Sequence, residues 1–197
     1  MDHNMDDVKR LSVCIIGHSF VSRLQRYMDS NSSLMNLNLD SDNFNVWVCA
    51  RGGLRVSQLK DFIKFKNKPH VCFIQIGEND ILRYEMEKLS TDILSIASYL
   101  HEGMDIPVVI VGQLLRRQPW ASSSDFNAKI VAANNFLKAG CSDLEGVHFW
   151  HHRGFWSDLN FLCYDGVHLQ CPGSPVHVVS SSPMHRYWRS IRSAILH

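Results

Sequence analysis

Short apolar runs alternate along the chain with longer segments in which apolar residues recur at helical spacing. The short runs are rich in Val, Ile, Phe and Trp, and the central ones are almost free of polar residues. Such runs are typical of strands that are covered on both faces. We predict strands at residues 11–16, 44–49, 71–76, 107–114 and 147–150.

The intervening segments have the periodicity of amphipathic helices. We predict helices at residues 19–28, 56–65, 90–100, 123–140 and 184–196. Ser90 or Thr91 is a candidate cap for the third helix, and Gly140 is a candidate end for the fourth. The alternation predicts an α/β protein with a mostly parallel sheet and helices on both of its faces.

Length and composition predict one domain over residues 1–197. We expect residues 1–10 to form a flexible N-terminus, and the Pro/Ser/Gly-rich residues 170–183 to form an irregular insertion. No apolar run reaches about 18 residues, and the acidic start does not resemble a signal peptide. We therefore expect no membrane span and an intracellular, cytoplasmic location.

Charge argues against a nucleic-acid partner, because 20 basic and 19 acidic side chains give a net charge of only +1. Arg186, Arg189 and Arg192 nevertheless recur on the last predicted helix, and Arg116 and Arg117 form a second basic pair. These arginines are either a solvated surface or a weak nucleic-acid site, and the near-neutral total favours the solvated surface.

The cysteines and histidines fit no common zinc pattern. The first three of the six cysteines lie in apolar runs, so we expect buried thiols rather than disulfides. Cys163, His168 and Cys171 are close in sequence, which leaves a structural zinc as a minor alternative. His151 and His152 follow the fifth predicted strand, either near a pocket or in solvent.

Candidate catalytic residues follow the predicted strands, where parallel sheets bind their ligands. Ser19 starts a helix, whose N–H groups favour an oxyanion beside it. Its hydroxyl needs a base, for which His168 is the candidate, with Asp165 three residues earlier to orient the imidazole. Gly53 and Asn79 could donate N–H groups to the same oxyanion. Each residue alone has an ordinary explanation as a cap or turn, but the ordered set predicts acyl transfer.

The same residues resemble four sequence blocks of the SGNH hydrolase superfamily, the GDSL-type esterases and lipases. The blocks are "IIGHSF", "ARGGLRVSQL", "IQIGEND" and "YDGVHL", and they occur in the family's order. The resemblance implies a three-layer α/β/α sandwich whose five-stranded, mostly parallel sheet has flavodoxin-like order. It implies a triad of Ser19, His168 and Asp165, and an oxyanion hole from Ser19, Gly53 and Asn79. It implies no metal and no organic cofactor.

Further stretches such as "VHFWHHRGFW" resemble animal SGNH-like domains, some of which are found beside retroelement reverse transcriptases. One position departs from the family, because His18 replaces the Asp that usually precedes the serine and orders the surrounding loops. His18 could support the site differently, weaken it or act as a second base.

We predict a serine ester hydrolase of the carboxylesterase or acetylesterase type, acting on a small or acylated substrate. The alternative is a catalytically weakened binding module on the same fold, derived from a retroelement and associated with nucleic acid. Aromatic residues expected near the mouth of the site would form either core or an acyl pocket. They are Trp120, Trp150, Phe155, Trp156 and Phe161.

Overall fold

A computed structural model describes residues 10–170 and 182–197 of the chain. The flexible start predicted for residues 1–10 and the irregular insertion predicted for 170–183 lie almost wholly outside the described residues. The extent of the domain over residues 1–197 likewise stays a prediction.

A parallel sheet forms the centre of the described structure. Its strands are β1 (Leu11–Gly17), β2 (Phe44–Ala50), β3 (Val71–Gln75), β4 (Val108–Gly112) and β5 (Val147–Trp150). They lie in the order β2-β1-β3-β4-β5, and each neighbouring pair is parallel. The predicted α/β class and the five-stranded parallel sheet are confirmed, with strand ends shifted by no more than a few residues.

The helices are α1 (Ser19–Asp29), α2 (Leu59–Phe62), α3 (Met86–Ser98), α4 (Phe126–Ser142) and α5 (Pro183–Leu196). Short 3₁₀ segments lie at Val56–Gln58 and Pro119–Ala121, and a π turn at Tyr99–Gly103 extends α3. The segment Ser32–Asn38 is only partly helical, because Met35, Asn36 and Leu37 have non-helical backbone angles. None of the described helices combines the length and the apolar character needed to cross a bilayer.

The sheet separates two apolar cores. Cys14 and Ile16 of β1 face the core that contains α3 and α4, whereas Ile15 faces the core that contains α1 and α5. Because successive strand residues point to opposite faces, a strand with both faces covered needs an unbroken apolar run. The run in β1 therefore has a direct structural cause.

Two predicted helix boundaries are wrong because contacts between α3 and α4 override the local signals. Ser90 is not a cap but lies buried inside α3, where its hydroxyl donates to the carbonyls of Met86 and Ala133. Gly140 does not end α4, which continues to Ser142. A Cβ atom at Gly140 would overlap Leu94, so this glycine allows the two helices to approach closely.

The helix predicted at residues 56–65 is also wrong in length. The chain forms a 3₁₀ turn at Val56–Gln58 and then the single turn of α2. At Ile63 the backbone becomes extended, with ψ of 113°, while the Ile63 side chain remains buried. The apolar periodicity thus marks residues that reach the core without a continuous helix.

Candidate active site

Ser19 lies at the abrupt change from β1 to α1, as the first residue of the helix. The change requires Gly17, because a Cβ atom there would lie 2.5 Å from both the Gln75 carbonyl oxygen and Val21 Cγ2. His18 caps the helix, with its Nδ1 atom 3.5 Å from the backbone nitrogen of Phe20. Ser19 itself is partly exposed, so its hydroxyl is accessible at the carboxyl edge of the sheet.

The hydroxyl, imidazole and carboxylate predicted to act together are in contact. Ser19 Oγ lies 3.1 Å from His168 Nε2, and His168 Nδ1 lies 2.7 Å from Asp165 Oδ2. The carboxylate places the ring proton on Nδ1, which leaves Nε2 as an acceptor for the Ser19 hydroxyl. The arrangement has the geometry of a nucleophile, a general base and an orienting acid.

The loop that carries Asp165 is held by its own backbone bonds. Asp165 Oδ1 accepts hydrogen bonds of 2.9 Å from the backbone nitrogens of Val167 and His168. Gly166 has a φ of +67°, and a Cβ atom there would lie 2.7 Å from the Ala121 side chain. Burial acts to raise the pKa of Asp165. The backbone N–H groups of His168 and Val167, together with the hydrogen bond and charge of the His168 ring, instead lower it to about 2. Asp165 is therefore ionised at neutral pH.

The two remaining predicted residues are tied to the same edge of the sheet. Arg51 donates its backbone N–H to the Gly17 carbonyl at 3.1 Å, which places the loop of Gly53 beside the end of β1. Gly53 has a φ of +73° and is exposed. Asn79 Nδ2 donates to the Leu54 carbonyl at 3.0 Å, which uses one of its two amide protons. Among the described residues, the hydrogen bonds of the Ser19 hydroxyl are to His168 and His18, and not to Gly53 or Asn79.

His18 makes a contact that the sequence does not predict. Its Nε2 atom lies 2.6 Å from Glu78 Oε2, and its Nδ1 atom lies 3.4 Å from Ser19 Oγ. Burial acts to raise the pKa of Glu78, but the charge and hydrogen bond of His18 lower it below the ordinary value, helped by backbone N–H groups that include that of Leu115. Where the SGNH hydrolases that the sequence resembles have an Asp, this chain thus has an imidazole, and a buried carboxylate faces that imidazole.

The pair extends into a chain of buried polar groups beneath the sheet edge. Gln75 Nε2 donates to Glu78 Oε1 at 2.7 Å, and Gln75 Oε1 lies 3.1 Å from His152 Nε2. His152 Nδ1 lies 2.8 Å from Ser190 Oγ. The sequence carries one sign of these buried polar groups, because Gln75 interrupts an otherwise apolar strand. Their hydrogen bonds run without a break from Ser190 of α5 to His18.

The structure separates several pairs of alternatives that the sequence left open. His152 is fully buried, whereas its neighbour His151 is exposed. Arg116 donates to the Trp156 carbonyl and Arg117 to the Glu78 carbonyl, so both guanidinium groups make contacts within the fold. The choice between a solvated surface and a nucleic-acid site stays a prediction. Arg192 donates to the Leu37 carbonyl.

The predicted aromatic residues differ in burial. Phe155 and Phe161 belong to the core, Trp120 is 67% exposed, and Trp150 and Trp156 are partly exposed. Within the described residues the cysteines are free, and no cluster of His, Cys, Asp and Glu could hold a metal ion. Cys171 lies outside the described residues.

Comparison with known proteins rests on structure. No protein-family model matches the sequence, and no curated protein matches it. A GDSL-like lipase from Bacteroides thetaiotaomicron superposes with a TM-score of 0.66 at 16% identity, covering 94% of this chain and 88% of the lipase. A family 3 carbohydrate esterase from Clostridium thermocellum superposes with a TM-score of 0.62 at 13% identity, covering 94% of each chain.

An animal protein is also similar in structure. The OSK domain of Drosophila Oskar superposes with a TM-score of 0.59 at 17% identity, covering 97% of this chain and 91% of that domain. This similarity agrees with the resemblance to animal SGNH-like domains. The TM-scores establish the common fold, and identities as low as these leave the activity to be argued from the site. The chain therefore has the fold of the SGNH hydrolases, as its four sequence blocks predict.

Proposed function

We propose that the chain is a serine ester hydrolase of the carboxylesterase or acetylesterase type. The observation that carries the proposal is the 3.1 Å contact between Ser19 Oγ and His168 Nε2, with Asp165 2.7 Å behind the imidazole. These residues are partly exposed, so an ester could reach the hydroxyl. The natural substrate is proposed only as a small or acylated molecule, and the predicted intracellular, cytoplasmic location belongs to the same proposal.

The proposed reaction has two halves. His168 Nε2 takes the proton of Ser19 as Oγ attacks the acyl carbonyl, and the resulting imidazolium is stabilised by Asp165. The tetrahedral intermediate collapses, its alcohol leaves with the proton from His168, and an acyl-Ser19 ester remains. Water then attacks this ester with His168 as base, and the acid departs with Ser19 regenerated.

The developing oxyanion needs N–H donors that are already in place. We assign this role to the backbone N–H groups of Ser19 and Gly53 and to the Asn79 side chain. The Asn79 amide suits the role because its bond to the Leu54 carbonyl fixes the group while leaving one proton for the oxyanion. Loss of one such donor typically lowers turnover by about 100- to 1,000-fold.

The proposal is tested with the Ser19→Ala variant and p-nitrophenyl acetate. We expect hydrolysis and fluorophosphonate labelling to be lost in folded Ser19→Ala protein. Ser22→Ala is the matched control, because Ser22 lies one turn later on α1 and donates to the His18 carbonyl rather than contacting His168. Equal hydrolysis by Ser19→Ala and the parent would refute the assignment.

The second candidate is a weakened binding module on the same fold. The observation that favours it is that Ser19 Oγ has two imidazole neighbours, His168 Nε2 at 3.1 Å and His18 Nδ1 at 3.4 Å. One hydroxyl proton cannot serve both acceptors, so a bond to His18 would disengage the base. A folded parent protein that is neither labelled by a fluorophosphonate nor hydrolytic would favour this candidate.

A further inference from the structure

An open cleft lies between the end of β5 and one face of α5, and none of its lining residues belongs to the Ser19 site. Its volume is about 680 Å³, within the usual range for small-molecule sites. We call it the basic cleft. Its lining residues include Trp150, Arg153, Arg186, Arg189, Ser190 and His197. Because β5 is an edge strand in the described sheet, no further strand covers this side.

Among the described residues, no Asp or Glu side chain opposes the positive charge of the basic cleft. Three arginines line it, and none of its lining residues is Asp or Glu. In the part of the chain that the structure describes, Arg153, Arg186 and Arg189 form no ion pair with a carboxylate. Since the whole chain carries a net charge of only +1, this is a local concentration of charge rather than a general property of the surface.

Arg186 is held in place but lacks an acceptor. Its guanidinium carbon lies 5.2 Å from the centre of the Phe155 ring, a cation–π contact that fixes the group. Its Nε atom is buried and has no hydrogen-bond partner among the described residues. The Arg186 side chain as a whole is partly exposed and lines the cleft, and a phosphate oxygen is a strong partner for a guanidinium.

A flat apolar surface adjoins these charges. Trp150 is partly exposed, and its indole N–H donates to Ser190 Oγ at 3.0 Å. Ser190 Oγ is in turn 2.8 Å from His152 Nδ1, so the orientation of the indole is fixed by a buried partner. The His197 ring lies 5.7 Å from Trp150. A planar ring can stack on such a surface.

We propose that the basic cleft binds a ligand of the nucleotide class, with its phosphate at the arginines and its base on Trp150. The charges alone would suit any anion, but the adjoining ring surface favours an anion that carries a planar group. The bounded volume and the near-neutral chain favour a mononucleotide over a long polyanion, whose binding grows with the number of neutralised phosphates.

The test measures binding of adenosine 5′-monophosphate by calorimetry at low salt, with adenosine and inorganic phosphate as partial ligands. We expect saturable binding of the nucleotide and weaker binding of either part. Arg189→Glu should weaken nucleotide binding by at least about tenfold, because it removes a charge-assisted contact and adds repulsion. Arg189 is exposed, so folding should be retained.

Lys138→Glu is the matched control, since it makes the same charge change on the exposed side of α4, across the sheet. It should leave binding unchanged, and Arg153→Glu should behave like Arg189→Glu. Absence of nucleotide binding by the folded parent, or equal weakening by Lys138→Glu, would overturn the proposal. Binding that occurs only with single-stranded oligonucleotides and becomes tighter with their length would also overturn the proposal, because it would identify a polyanion surface. Ser19→Ala should bind normally, which separates this test from that of the hydrolase.

Discussion

Two imidazole–carboxylate pairs flank Ser19, and they differ in almost everything except distance. His168 and Asp165 meet at 2.7 Å, with side chains 22% and 33% exposed. His18 and Glu78 meet at 2.6 Å, with side chains 1% exposed. The first pair comes from one loop and is three residues apart, whereas the second joins the ends of β1 and β3 across 60 residues. We call them the exposed pair and the buried pair.

The environments suit the two pairs to different tasks. A general base must release its proton to a leaving group and then regain access to water, which the exposed pair can do. A buried charged group must have its hydrogen bonds satisfied, and Glu78 Oε1 accepts from Gln75 Nε2 and from the Leu115 backbone. The buried pair therefore suits holding the start of α1, through the cap that His18 provides. Proximity to a nucleophile alone does not make an imidazole a base.

The largest expected effect comes from Asp165→Asn. The Asn oxygen can still accept the backbone N–H groups of Val167 and His168, so the loop should persist. Its amide N–H would face His168 Nδ1, move the ring proton to Nε2 and remove the acceptor that Ser19 needs. We expect kcat for p-nitrophenyl acetate to fall by about 10,000-fold. The free energy of unfolding should change by less than about 1 kcal/mol, since the pair is partly exposed.

Circular dichroism and urea denaturation of Asp165→Asn provide the control for that result. A variant that keeps most of its activity would show that His168 does not need this partner. A variant that unfolds would instead make Asp165 structural, and the contrast between the two pairs would disappear.

Glu78→Gln should have the opposite balance of effects. If the new amide N–H faces His18 Nε2, His18 must move its proton to Nδ1 and lose the ability to accept from Phe20. We expect the free energy of unfolding to fall by about 1–3 kcal/mol, the cost of an unsatisfied buried group. The loss of turnover should be smaller than in Asp165→Asn, because no atom of Glu78 contacts Ser19.

Urea denaturation and steady-state kinetics on the same Glu78→Gln preparation decide between the two roles. A variant with parental stability and no turnover would place the buried pair in proton transfer. A double variant with Asp165→Asn should show additive stability losses if the two pairs act independently.

The exposed pair was predictable from sequence, and the buried pair was not, for a physical reason. Asp165 and His168 carry a local signal, because an Asp three residues before a His can accept its ring N–H. Glu78 lies in "GEND", where a turn explains it equally well, and its partner is distant in sequence. The informative sign was His18 itself, since an imidazole that replaces a carboxylate calls for an acceptor nearby. Such a compensating change becomes visible only when the sheet order is known.

The fold shows the same division between local and non-local signals. Strand positions follow from apolar runs, which burial on both faces requires. The helix boundaries predicted from Ser90 and Gly140 are wrong because each residue makes a contact between α3 and α4 instead of capping a helix. Positions set by packing between elements are the ones that a single sequence predicts least well.

The last expected effect concerns the pH dependence of stability, through His152, which continues the buried pair through Gln75. Burial lowers the pKa of His152 from 6.5 to about 3, so it stays neutral in the folded chain at moderately acidic pH. The unfolded chain binds the proton below pH 6.5 and the folded chain does not, so stability is full above 6.5 and declines toward pH 3. The decline from this residue approaches about 1.4 kcal/mol per pH unit.

His152→Gln should remove this decline, so that the free energy of unfolding measured by urea denaturation depends less steeply on pH between 6.5 and 4.5. Because the pKa of His185 is also lowered by burial and by Arg189, the quantity to compare is the difference in slope between parent and variant. An unchanged slope would mean that His152 binds its proton equally in the folded and unfolded chains, so that burial does not keep it neutral.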